Sequence, residues 1–137
     1  MEITQLDKSN YLKGLLIVAK KDKQLTEQEK KILTSIAMKL GFAKDFYEDT
    51  IRNLLVNKYI IDNPIKFSKK QIAESFISDG LKLAYADNIV SDVEIAWLRS
   101  IANVNDLNND WFDKRMKNFK ETSSNQLNSE FALLSII

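Results

Sequence analysis

Residues 26–37, TEQEKKILTSIA, and residues 91–102, SDVEIAWLRSIA, decide the fold of this chain. Each opens with a hydroxyl, then an acid, and places Glu three positions after the hydroxyl: Thr26 with Glu29, Ser91 with Glu94. That spacing is a capping box. The hydroxyl accepts from the backbone N–H at the third helical position, and the Glu reaches back to the cap. Acids in a first turn also suit the positive end of the helix dipole. Behind each start runs an apolar stripe at helical spacing, Ile32, Leu33, Ile36, Ala37 and Leu40 in the first stretch and Trp97, Leu98, Ile101 and Ala102 in the second.

The two stretches lie 65 residues apart, and the match extends outward from them. Residues 11–54 align with residues 76–119 without a gap, and ten of the 44 positions are identical. Chance would give roughly two or three, so the fixed offset reads as a duplicated unit. Several replacements keep their chemistry, among them Tyr11/Phe76, Thr26/Ser91, Glu27/Asp92, Phe46/Trp111, Tyr47/Phe112 and Ile51/Met116.

Each unit reads as three helices. The first spans about residues 9–21 in unit one, with Leu12, Leu15, Leu16 and Ala19 on one face, and about residues 68–86 in unit two, where Ser68 and Gln71 have capping-box spacing. The second is the capped helix already described. Gly41 offers it a left-handed stop in unit one, and Asp106 takes that place in unit two. The third buries Tyr47, Ile51, Leu54 and Leu55, matched by Phe112, Met116 and Phe119. Residues 56–67 link the units, with Pro64 as breaker. Residues 125–137 read as a seventh helix, with Leu127, Phe131 and Leu134 at spacings of four and three. Such a tail either docks back on the bundle or serves as a partner-binding segment. The expectation is one all-α domain over residues 1–137, a helical bundle of about six or seven helices built from two tandem three-helix repeats with pseudo-twofold symmetry.

Composition narrows the chemistry. With 45% apolar and 28% charged residues the chain is globular in character, and three Gly and one Pro leave few tight turns for a β fold. Cys and His are both absent. Disulfides, thiolate nucleophiles, the usual zinc ligands and the commonest general base are therefore excluded. A net charge of +1 gives no electrostatic reason to expect nucleic acid. The longest apolar run before the tail, Leu15 to Ala19, is too short to span a bilayer, and the polar N-terminus lacks a signal-peptide core. A soluble cytoplasmic protein is expected.

Chemistry concentrates at the turn between the first and second helices, where both units spell Asp-x-x-aliphatic-hydroxyl-acid-x-Glu: residues 22–29 and residues 87–94. The string matches the second half of an EF-hand loop, but the positions that should supply the first oxygens hold Val18 and Lys20 in unit one and Leu83 and Tyr85 in unit two. An EF-hand is excluded. An amphipathic helix, an Ala-Asp turn and an aliphatic-hydroxyl-x-x-Glu start, all duplicated, resemble the tellurite-resistance TerB-like domain family. Residues 86–94, ADNIVSDVE, are the nearest stretch, and the resemblance covers about residues 11–119.

That resemblance implies an all-helical, cytoplasmic, non-enzymatic module. Its associations are tellurite and other chemical stress, membrane-linked stress complexes, and a divalent-cation site (calcium, magnesium or manganese) at the acidic turns. Asp22, Glu29, Asp87 and Glu94 match the family's acidic positions. The glycine usual after the Asp is replaced by Lys23 and Asn88, and Lys20 and Lys21 place positive charge beside the first turn, so unit two fits a cation better. Beside this stands the plainer reading, in which Glu29 and Glu94 complete capping boxes and Asp22 and Asp87 terminate the preceding turn. Three functions follow: a stress-response or scaffolding module that binds protein partners and a divalent cation, a metal-free helical adaptor, and a metal-assisted hydrolase working at the acidic turns. No His, phosphate-cradling loop or nucleophile motif supports the third.

Overall fold

Six helices appear in chain order in the computed structural model, which describes residues 3–21, 27–56, 63–85, 92–122 and 132. They are α1 (Gln5–Lys21), α2 (Glu27–Lys39), α3 (Lys44–Val56), α4 (Lys70–Ala84), α5 (Asp92–Val104) and α6 (Asn109–Thr122). No strand occurs among the described residues, and no helix there is long and apolar enough to cross a membrane. The protein is an all-helical bundle.

Two helices form its centre. Burial in α1 runs through Tyr11, Leu12, Leu15, Leu16, Ile17, Val18 and Ala19 without regard to face, and α4 is buried continuously from Ser75 to Ala84. A stretch of helix buried on every side lies inside, wrapped by others. The packing agrees: α1 meets α2, α3, α4 and α5, while α4 meets α1, α5 and α6. The apolar run from Leu15 to Ala19 is thus the inner helix of a bundle. The outer helices α2 and α5 bury one stripe each, and every apolar residue expected on those stripes is buried.

Glycine lets the layers close up. A Cβ on Gly14 would lie 2.6 Å from Cζ of Phe76, and one on Gly80 would lie 2.7 Å from Cδ2 of Leu98. At the first point α1 meets α4, and at the second α4 meets α5.

The turns after α2 and α5 follow one pattern. Gly41 has φ 88° and Asp106 has φ 65°, both left-handed. Phe42 N–H donates to Ala37 O and Leu107 N–H to Ala102 O, each closing the helix end in the manner of a Schellman motif. Asn105, where the alignment has Leu40, is buried and holds the segment that leads into α4. Its Nδ2 donates to Ile65 O (2.7 Å) and Ile101 O (2.8 Å), and its Oδ1 accepts from Phe67 N–H (2.8 Å).

Helix starts differ from expectation in two places. α1 begins four residues earlier than residue 9, because Thr4 caps it: Asp7 N–H donates to Thr4 Oγ1 at 3.1 Å. At α4 the cap residue is Lys69, with no side-chain cap. The Ser68–Gln71 capping box does not form, because Ser68 Oγ donates instead to Asp7. Thr26 and Ser91 lie outside the described residues, and α2 and α5 begin at Glu27 and Asp92, the next residue in each case. The expected seventh helix also falls outside them except at Ala132, whose amide donates to Asp79 Oδ1 at 2.7 Å, against α4.

Candidate functional site

Of the four acidic residues singled out from the sequence, Glu29 and Glu94 are described. Each stands in the first turn of its helix, α2 or α5, and each is 1% exposed. Asp22 and Asp87 lie outside the described residues. Among the described residues, no group of three or more carboxylates that could hold a metal ion comes together.

Burial gathers polar groups elsewhere. Asp79 of α4 is 1% exposed and accepts from the Tyr11 hydroxyl at 2.5 Å and from the Ala132 amide at 2.7 Å. With its proton committed to Asp79, the Tyr11 oxygen accepts from Ser75 Oγ at 2.9 Å. Burial pushes the Tyr11 hydroxyl well above the usual phenol range, and the adjacent Asp79 charge and hydrogen bond push it the same way. Lys82, one turn along α4, is held below the usual lysine range by burial, against the pull of Asp79. Tyr11 is fully buried, and the network ties α1 to α4 and α4 to Ala132.

A second network joins the two helix starts. Asp7 Oδ1 accepts from Ser68 N–H at 3.1 Å, and its Oδ2 accepts from Thr4 Oγ1 at 2.9 Å and from Ser68 Oγ. Burial raises the Asp7 carboxyl, but these donors and the Lys69 charge outweigh it and leave it below the usual aspartate value of 3.8. A carboxyl depressed in the folded state adds stability above its unfolded pKa and loses it as pH falls through the folded value. Asp7→Asn is therefore expected to cost about 1–3 kcal/mol at pH 7. The difference from the wild type should shrink as pH drops below about 4. Urea unfolding at pH 7 and pH 3 measures both. A deficit of equal size at the two pH values would show that the carboxylate charge contributes nothing.

An open surface lies between α2 and α3. A groove there, of about 1080 Å³, is floored by Met38, Phe42, Tyr47 and Ile51 and rimmed by Lys30, Lys44, Glu48 and Arg52. Met38 is 62% exposed. Beside the groove Phe46, 53% exposed, stacks on Phe42 with ring centroids 5.2 Å apart. Two of the rim cations have partners, Lys30 with Glu27 at 3.4 Å and Arg52 with Asp49 at 3.3 Å.

No family model matches the chain, and neither a curated protein nor a solved structure gives a significant match.

The sequence reading missed this groove, although the self-alignment carried its signal. Between α5 and α6 an arginine crosses the corresponding place. Arg99 reaches from α5 to Asp113 of α6 at 2.7 Å and lies 4.6 Å from the centre of the Phe112 ring. Arg115 lies 5.0 Å from the Trp111 ring. At the positions 65 residues earlier stand Thr34 and Thr50. At these two positions the aligned stretches carry side chains of different chemistry.

Proposed function

We propose that this chain is a non-catalytic, TerB-like helical module of two tandem three-helix units that holds a partner protein in the groove between α2 and α3. The carrying observation is that groove, where Met38 and Phe46 leave an apolar strip open beside a rim of both charges. Exposed apolar strips of this kind serve as interaction sites. Support for the duplication comes from the equal burial of Glu29 and Glu94, Leu33 and Leu98, and Ile36 and Ile101, and from the shared left-handed stops.

The test compares proteins captured from the native cells by the wild type and by Met38→Asp with Phe46→Asp. Both side chains are exposed, so the melting temperature should change little. A specific protein retained by the wild type and lost by the variant is the expected outcome. Equal capture by both would remove the groove from the account.

The resemblance adds a divalent cation at Asp22, Glu29, Asp87 and Glu94, and the burial of both glutamates favours it, because a buried carboxylate gains from a nearby positive charge. Thermal stabilisation by calcium, magnesium or manganese, lost in Glu29→Gln with Glu94→Gln, separates this module from a metal-free adaptor.

A further inference from the structure

We infer that one face of α4 is a docking site for the chain's own C-terminal segment, which seats there as a latch that opens on an intact bundle. The face is separate from the α2–α3 groove, and neither reading depends on the other.

Ser75, Ser78, Asp79 and Lys82 follow one another along α4 at spacings of three, one and three, which sets them on one side of the helix. Such a polar stripe ordinarily faces water. Here all four residues are buried. The apolar packing of α4 lies elsewhere on its circumference, where Phe76 meets Tyr11 and Phe67 and where Gly80 faces Leu98. From outside α4, the Tyr11 hydroxyl reaches Ser75 and one oxygen of Asp79, and the Ala132 amide reaches the other oxygen of Asp79. A residue of the C-terminal segment is therefore seated on the stripe.

The chemistry of the stripe makes that seat reversible. Ser75 is satisfied by Tyr11, and Ser78 donates to Glu74 O of its own helix at 3.0 Å. Neither bond uses the tail. When Ala132 leaves, Asp79 keeps the Tyr11 hydroxyl at one oxygen and takes water at the other. Water also solvates the Lys82 ammonium, whose charged form burial disfavours. Uncovering an apolar face forfeits its burial energy, whereas hydroxyls and charges are hydrated as they emerge. The segment that leaves carries Leu127, Phe131 and Leu134, so the closed latch withholds an apolar stretch that the open one presents.

The anchor is a backbone N–H, the one group that proline lacks. Ala132→Pro in the full chain therefore removes the anchor and leaves the α4 stripe untouched. Its melting temperature should stay close to that of the wild type. A labelled peptide of residues 125–137 should bind it at least about tenfold more tightly than it binds the wild type, whose own tail competes at high effective concentration. That binding should be lost when the peptide itself carries proline at the position of Ala132, and weakened when Asp79→Asn is added to the Ala132→Pro chain. In the wild type, the Ala132 amide should exchange through a local opening that changes little with sub-denaturing urea, while the buried Leu81 amide of α4 shows the full urea dependence of global unfolding. Equal urea dependence at the two amides, or an Ala132→Pro chain that fails to fold, would show that the segment leaves only when the bundle unfolds and would overturn the latch. A folded Ala132→Pro chain that does not bind the peptide would overturn the docking face.

Discussion

Asp79→Ala is expected to destabilise the protein by about 3–5 kcal/mol, because it removes one member of a buried charged network and strands the others. The carboxylate is 1% exposed and bonded to Tyr11 and the Ala132 amide. Without it, Tyr11 keeps Ser75, but the Ala132 amide loses its acceptor, and buried Lys82 loses the negative charge that opposes its desolvation. Tyr11→Phe should cost less, about 1.5–3 kcal/mol, since one hydrogen bond to a charged group goes while Asp79 keeps the amide. The double variant should fall short of the sum of the singles, as for groups in one network.

Two further readouts separate this from a general loss of packing. Exchange of the Ala132 amide with solvent should accelerate in Asp79→Ala more than in Tyr11→Phe. The alkaline response should also differ. Burial depresses the folded-state pKa of Lys82, so the ammonium costs stability at neutral pH, and that cost is relieved as pH rises from the folded value towards the usual 10.5. Loss of Asp79 deepens the depression, so the deficit of Asp79→Ala should narrow as pH rises from 7 towards the usual lysine value. A deficit independent of pH, with Ala132 exchange unchanged, would show that the network does not bind the tail.

Why this network escaped the sequence is instructive. Tyr11 aligns with Phe76, so its ring reads as core, which it is; nothing local reports that its hydroxyl meets a carboxylate 68 residues away. Asp79 aligns with Gly14 and reads as an ordinary polar residue on a helix. Ser68 shows the reverse error. Its spacing to Gln71 fits a local cap, yet its hydroxyl and amide go to Asp7, 61 residues away. Local patterns decide where helices form because their bonds close within a turn, and the stripes of α2 and α5 were legible for that reason. Long-range polar pairing has no period and leaves no such trace. The left-handed stop at Asp106 was legible as a position, since Gly41 marked it from the other half of the alignment. Of the candidate site, the groove residues were in view as core and surface, but no periodic pattern reports that Thr34 and Met38 of α2 and Phe42, Tyr47 and Ile51 line one opening.

Phe76→Ala should be the costliest core truncation, about 3–5 kcal/mol, against a total of about 5–15 kcal/mol for a domain of this kind. Phe76 is fully buried where α1 crosses α4. Its ring meets Tyr11 edge-on at 5.4 Å between centroids and Phe67 at 5.2 Å, so truncation opens a cavity and removes two aromatic pairs together. The close approach depends on Gly14, whose missing Cβ leaves the space that the ring fills. This gives a signed coupling. Gly14→Ala in the wild type gains helix propensity of up to about 1 kcal/mol but drives a methyl against Phe76, and overpacking of about 1–3 kcal/mol should prevail. In the Phe76→Leu background the ring edge is absent, the clash is relieved and the propensity remains. Gly14→Ala should then be neutral or stabilising there. Denaturant midpoints for the four proteins give the coupling directly. Equal costs of Gly14→Ala in both backgrounds would mean that the α1–α4 crossing is not packed through this ring.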